Sequence, residues 1–413
     1  MSRPAGLSQW ETTVSTHFPT LSPAQATVLA LWSFGMVLAR SCGITSVSAL
    51  LAPLLDAQEN TVRQRLREWC YDAPDKRGTK RKDLDVTTCF APLLRWVLAW
   101  WPAPEQRLVL AMDATTLGQR FTVLAISVVY RGCAIPVAWV VVEATRTGAW
   151  RPHWTALFDH LQGSVPAEWT VLVLADRGLY ARWLFQHLVK RGWHPFLRIN
   201  LGGNVRPQGS ATFRPLATLV PHVGRAWGGQ VTCFSSKESQ LACTLLARWD
   251  AGYAEPWLIV TDLAPDVAEA AWYGMRSWIE GGFKDMKRGG WQWQQTKMTD
   301  PARATRVWLA LAVATLWVVS VGGEADATLP VSSLEDLPEL HVARRRVTER
   351  ARPRLLSCFR RGVLLILAAL LQGQPLPRGR FLPEPWPAEP PAVLTQPRVR
   401  LVLPHMVPCQ TYP

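Results

Sequence analysis

Along the 413 residues the spacing of apolar positions changes character several times, and each change marks a different kind of element. In residues 1–103 the spacing is helical. Ser22-Pro23 opens a helix through ATVLALWSFGMVLA, with Ser at the N-cap and Pro at the first helical position, where its missing N–H costs nothing. Past Gly43, Thr45 to Leu55 suits a second helix and Glu59 to Tyr71 a third. From about 104 to 199 strand and helix patterns alternate. RLVLAMD, FTVLAISVVY and AIPVAWVVVEA are apolar runs, the last two separated by Arg131-Gly132. Trp154 to Leu161 reads as helix, TVLVLAD as strand, Ala181 to Arg191 as helix, and HPFLRIN closes the series. Three strands in succession, then helix, strand, helix, strand, predict an α/β fold with a mixed sheet covered by helices. The near-continuous apolar runs predict burial of both sheet faces.

Between about 200 and 262 the helical period disappears, and glycines separate short pieces such as QVTCFSS, LACTLLARW and PWLIVTDL. This predicts a β-rich insertion within the surrounding fold. Helix returns from about Pro265, and the fold is completed near Gly323. Residues 324–413 hold a basic helix-prone stretch (Arg344 to Arg361), the apolar VLLILAALL, and a Pro-rich tail from Gln374 that is expected to be extended and poorly ordered. The predicted organisation is therefore 1–103, helical; 104–323, mixed α/β; 324–413, basic helix and tail. The uncharged run from Val307 to Gly323 is at the short end for a membrane span and is diluted by Ala, Thr, Ser and Gly, so a buried helix is expected and no membrane association.

Composition changes the picture mainly through charge. With 48% hydrophobic and 18% charged residues the chain is a folded protein, and its net charge of +14 favours a polyanionic partner. Nucleic acid comes first and an anionic membrane surface second, although a GC-rich coding sequence also enriches Arg and Trp (22 of the latter). The third N-terminal helix carries Arg63, Arg65 and Arg67, and Lys76, Arg77, Lys80, Arg81 and Lys82 follow. That is the outline of a DNA-binding helix-turn-helix, and equally of a helical bundle with a solvated basic face. The eight Cys show neither a disulfide framework nor zinc-ligand spacing. Met1 to Trp10 lacks the charged start and apolar run of a secretion signal, so a cytoplasmic location is expected.

Two acids sit where strands end: Asp113 in LAMDATT and Asp176 in LVLADRG. Strand ends of an open sheet are where functional groups converge. Carboxylates meeting there repel unless a cation separates them, and their hard oxygens suit Mg²⁺ or Mn²⁺. Either Asp alone would equally serve as a helix or turn cap. The stretch YGMRSWIEGGFKDMKRGGW adds Tyr273, Arg276, Glu280, Lys284 and Lys287, which step by three or four and would share one helix face, with Trp272, Met275, Ile279 and Phe283 opposite, toward a core. Such a face is either solvated or a carboxylate flanked by phosphate-gripping cations.

The spacing Tyr-x2-Arg-x3-Glu-x6-Lys resembles the signature of bacterial cut-and-paste insertion-sequence transposases of the DDE type, and the sequences around Asp113 and Asp176 resemble that family's other two acidic motifs; Asp262, in VTDL, fits the group as well. The resemblance spans about 105–320. It implies an RNase H-like sheet interrupted by a β insertion between the second Asp and the Glu. It further implies two Mg²⁺ (or Mn²⁺) ions held by Asp113, Asp176 and Glu280, and phosphate contacts from Tyr273, Arg276 and Lys287, to which Lys284 is added from its place on the same face. The implied partners are the terminal inverted repeats of the element and target DNA, bridged by a homodimer, in a cytoplasmic, nucleoid-associated protein. The implied chemistry is strand nicking by water, then attack of the freed 3′-hydroxyl on another phosphodiester, with ends typically freed through a DNA hairpin. Trp291 and Trp293 are candidates to stack on an unpaired base, or are ordinary core residues. A DNA-binding regulator or an inactive domesticated copy is the alternative to an active enzyme. Gly281-Gly282 is unusual for a helix interior, where each Gly costs about 1 kcal/mol relative to Ala, and a kink there would turn Lys284 and Lys287 away from Glu280.

Overall fold

The computed structural model describes residues 5–78, 81–101, 106–146, 148–327 and 356–387. Lys80, most of the Arg344–Arg361 stretch and Cys409 lie outside them. Five helices come first: α1 (Ala5–His17), α2 (Pro23–Ala39), α3 (Ile44–Leu54), α4 (Glu59–Trp69) and α5 (Phe90–Ala99). The start of α2 is the one expected from Ser22-Pro23. Ser22 Oγ accepts from the Gln25 N–H, and the Gln25 side chain accepts from the Ser22 N–H, so two otherwise orphaned donors are satisfied reciprocally. The helix ends where Arg40 turns left-handed (φ 50°), and the chain then bends by 100° into α3. The helices share one continuous core with the rest of the protein: Trp10 of α1 stacks on Trp317 at 4.2 Å.

The sheet is mixed, as the alternating pattern predicts. Strands β1 (Arg107–Leu117), β2 (Phe121–Tyr130) and β3 (Cys133–Glu143) form an antiparallel meander. After α6 (Arg151–His160), β4 (Thr170–Ala175) pairs parallel to β1; after α7 (Arg182–Val189), β5 (His194–Arg198) pairs parallel to β4. The β-rich stretch supplies β6 (Asn204–Pro207), β7 (Arg214–Pro215), β8 (Arg225–Cys233), β9 (Leu241–Trp249) and β10 (Trp257–Thr261). These strands are a continuation of the same sheet, because β10 joins antiparallel to β5 and gives the order β3-β2-β1-β4-β5-β10-β9-β8-β6-β7. Every residue of β2 is buried, as its unbroken apolar run requires.

A 3-10 segment (Ala270–Ser277) leads into α8 (Trp278–Met286), and α9 (Pro301–Asp326) and α10 (Cys358–Leu371) complete the helices among the described residues. Among the described residues α9 is the one helix long and apolar enough to cross a membrane, and it lies in the core against β3, α2 and α10. It crosses α10 so closely that a Cβ on Gly362 would stand 1.7 Å from the Val318 carbonyl oxygen. Against expectation, the first part of the Pro-rich tail is packed. Phe381 is fully buried, its N–H donates to the Trp100 carbonyl at 2.6 Å, and Trp386 meets Trp272 edge-on. Proline lacks an N–H, so such a segment packs through side chains and scattered main-chain bonds instead of a ladder, which no apolar period reveals.

Candidate active site

Asp113 and Asp176 are brought together by strand register. Met112 pairs with Ala175 across the parallel β1–β4 ladder, so the next residue on each strand arrives at the same sheet edge, one inter-strand spacing apart (about 4.8 Å). Glu280 comes from the first turn of α8, which packs on β1, β2 and β3. Arg276, one turn earlier, joins all three. Its Nη2 donates to Asp113 Oδ2 at 2.7 Å and stands 3.8 Å from Asp176 Oδ2, while its Nη1 donates to Glu280 Oε1 at 2.5 Å. The guanidinium is largely enclosed, with 11% of the side chain exposed, so its pair with the enclosed Asp113 is poorly screened, while Asp176 and Glu280 stand closer to solvent. Burial raises the Asp113 carboxyl above its usual range, and the adjacent Arg276 opposes that shift.

The acids are further oriented by their own main chain: Asp113 Oδ1 accepts from the Ala114 N–H at 2.8 Å and Asp176 Oδ1 from the Arg177 N–H at 2.6 Å. Lys287, at the C-cap of α8, reaches back to β1, where its Nζ donates to Thr115 Oγ1 at 2.7 Å and to the Thr116 carbonyl at 2.8 Å. Lys284 is exposed.

The helix is not broken at Gly281-Gly282: α8 runs on to Met286. Gly282 is where the helix touches β3: a Cβ there would meet the Ala134 Cβ at 2.8 Å and its carbonyl oxygen at 3.1 Å. The glycine serves close approach, which offsets the roughly 1 kcal/mol that glycine costs in a helix.

Four other candidates take places that spacing alone left open. Tyr273 falls in the 3-10 segment, whose tighter winding rotates it away from the Glu280 face by roughly 80° relative to a continuous α-helix. It is buried edge-on against Trp257, and lines a cavity of about 330 Å³ beside Asp176. Trp291 and Trp293 are core residues with no exposed surface, the second of the two possibilities open from sequence. Trp291 Nε1 donates to Thr315 Oγ1 at 2.8 Å, and Trp293 packs on Phe121 and edge-on against Trp308. No face of either is open to a base. Asp262 is carried away from the acids, because β10 runs antiparallel to β5; it pairs with His194 Nδ1 at 3.1 Å.

Several neighbours carried no sequence signal. Thr115 holds Lys287, and Glu255 pairs with Arg177 at the rim of the cavity beside Asp176. Arg177 follows Asp176 directly and was findable by adjacency; Glu255 arrives from the far end of the β-rich stretch.

Whether these acids suit a divalent cation is a question of donor chemistry. Three carboxylates turn oxygens toward one cationic group, and such hard donors fit Mg²⁺ or Mn²⁺. Among the described residues no three such side chains are gathered closely enough to ligate an ion together, and the guanidinium lies between them.

A family model described as a transposase DDE domain matches residues 104–317. No curated protein matches the chain. Among solved structures, a piggyBac transposase synaptic complex with hairpin DNA is similar at 11% identity and a TM-score of 0.37, covering 75% of this chain and 71% of that one.

Proposed function

This chain belongs to the transposase DDE-domain family, its match covering residues 104–317, and from that premise we propose that it is an insertion-sequence transposase cutting and joining DNA at element ends with Asp113, Asp176 and Glu280. The observation that carries the reading is the convergence of the three acids, from two adjacent strand ends and one helix, on a single cationic group. The order β3-β2-β1-β4-β5, antiparallel in its first three strands and parallel in the rest, supports an RNase H-like core, with residues 200–262 as its insertion.

Two Mg²⁺ or Mn²⁺ ions held by Asp113, Asp176 and Glu280 would supply activation of the attacking oxygen and charge neutralisation at the leaving one. The rest falls to this chain's residues. The hydrogen bonds from the Ala114 and Arg177 N–H groups fix one oxygen of each Asp and leave the other facing inward. Arg276 holds the carboxylates together when no other cation does so. On arrival of a DNA phosphate its planar fork exchanges carboxylate for phosphodiester oxygens, a bidentate geometry that lysine lacks. Lys287 keeps the β1 end beyond Asp113 against α8, and Lys284 offers an exposed ammonium to the backbone on the outer side. Tyr273 acts here through position, as a wall of the cavity beside Asp176. Residues 1–103 are assigned to DNA recognition, and a homodimer to the bridging of two ends.

Cleavage of labelled element-end duplex tests the proposal, comparing wild type with Asp113→Ala and Glu280→Ala in Mg²⁺ or EDTA. Metal-dependent cutting at the end, reduced at least about 10²-fold in both variants, is the expected result. Binding without cutting by a folded wild type replaces this reading with that of a regulator or inactive copy.

A further inference from the structure

A second cationic site lies apart from the acids, at the seam between the N-terminal helices and the segment that follows α8. It is a cavity of about 530 Å³ whose lining includes Arg63, Arg67, Lys297 and Arg303 and, among the described residues, no carboxylate. Arg63 and Arg67 are one turn apart on the exposed face of α4, with about 5–6 Å between their Cβ atoms. Lys297 is exposed on the facing wall. Arg303 stands over the Tyr71 ring at 4.4 Å and shares its charge with Asp75 and Asp300 at 3.4 and 3.5 Å, which holds it in place. The floor is the first turn of α3. Its N-cap, Gly43, provides no side-chain hydrogen bond to the N–H groups that begin this 11-residue helix, and Gly43, Ile44, Thr45 and Ser46 line the cavity. Unsatisfied N–H groups and the positive end of a helix dipole favour an anion there.

The walls are fixed to each other and to the strand that bears Asp113. The Cys42 N–H donates to the Trp291 carbonyl at 2.7 Å, joining the α2–α3 turn to the segment after α8. Arg306 Nη1 donates to the Cys70 carbonyl at 2.6 Å, tying α9 to the end of α4. Arg120, in the β1–β2 turn, donates to the carbonyls of Thr296 and Met298, on either side of Lys297. That turn begins four residues past Asp113 along β1, a rise of about 13 Å.

We propose that this cavity grips the sugar-phosphate backbone of the element's duplex a few base pairs inside the point of cleavage. This rests on the transposase reading and adds a second, non-catalytic anchor. Arg63, Arg67 and Lys297, beside an Arg303 already paired with Asp75 and Asp300, and with no carboxylate lining the cavity among the described residues, match a polyanion. With the duplex laid along β1, the rise to the turn that Arg120 pins corresponds to roughly four steps at about 3.4 Å per nucleotide, which sets the position expected of the gripped phosphates. With helix α4 on one wall and the loop pinned by Arg120 on the other, the register between recognition and cutting is set by two rigid elements instead of a linker.

The test is binding and footprinting without cleavage, using Asp113→Ala as the parent so that the duplex stays intact. The probes are an element-end duplex and a shuffled duplex of equal length, and the variant adds Arg63→Gln and Lys297→Gln, both exposed. The expected result is an affinity loss on the order of tenfold for both duplexes, with a log–log salt slope shallower by about 1.8 for the two lost contacts. Hydroxyl-radical protection should disappear about four nucleotides inside the end and persist at the end itself. An unchanged slope and footprint in the variant, while the chain with Asp113 intact cuts DNA, overturns this site and leaves the transposase reading in place. A loss confined to the element-end duplex also overturns it, because that is base readout. If the intact chain neither binds nor cuts either duplex, the transposase reading fails, and this site with it.

Discussion

Arg276 is a single residue on which three carboxylates depend. Replacing it with Gln removes the guanidinium that Asp113, Asp176 and Glu280 share, which destabilises the metal-free protein and makes room for added ions. For Arg276→Gln the melting temperature in EDTA is expected to fall by several degrees, and millimolar Mn²⁺ should restore more than it adds to wild type. An equal Mn²⁺ response in both proteins would show that the guanidinium does not compete with ions. Asp285 makes a second prediction. Burial raises its carboxyl to about 7, against the opposing pull of Lys284 and Arg360. The folded protein therefore holds this proton more tightly than the unfolded chain, whose Asp titrates near 4. The group weighs increasingly against folding as pH rises from about 4 to about 7, and fully above that. Asp285→Asn removes the term, so urea unfolding should show the variant gaining on wild type between pH 4.5 and 7.5, by an amount on the order of a few kcal/mol. Parallel curves would refute it.

Among the elements, close approach at glycine decides the packing. Alanine at position 362 gains about 1 kcal/mol of helix propensity, yet its Cβ would lie 1.7 Å from the Val318 carbonyl oxygen, a backbone atom that cannot swing aside. The clash wins, and Gly362→Ala should lose about 1–3 kcal/mol or more, read as a fall in melting temperature of several degrees. Gly282→Ala presses α8 off β3 at Ala134 and displaces Glu280 relative to Asp113. Its cleavage rate should therefore fall by more than its stability accounts for, since small misplacements at a reacting centre cost on the order of 10²-fold. The strands and most helices were legible from apolar spacing because burial of both sheet faces leaves unbroken runs, and Ser22-Pro23 announced its own cap. The 3-10 winding of Ala270–Ser277 was not legible: its apolar positions suit either period, and contacts with Trp257 and the core select the tighter one.

For the molecule as a whole, the C-terminal strap is where pattern reading fell short. Residues 374–387 have no regular structure, yet Phe381 fills a site between Trp101 and Tyr130, and Arg131 donates to the Leu382 carbonyl at 2.8 Å. A chain ending at Gly373 should melt lower and bind an apolar dye more strongly than the full chain; unchanged values would show the strap to be dispensable. The sequence by itself determined the order of most strands and helices and the basic character, and it picked out the three acids that the structure brings to Arg276, because these follow from local period, charge count and motif spacing. Only the tertiary structure decided that Met112 and Ala175 are in register, that Arg276 stands among the acids, that Trp291 and Trp293 face inward, and that Asp262 points to the other end of the sheet. Each of these depends on which surfaces meet when distant segments pack, and local spacing carries no information about that.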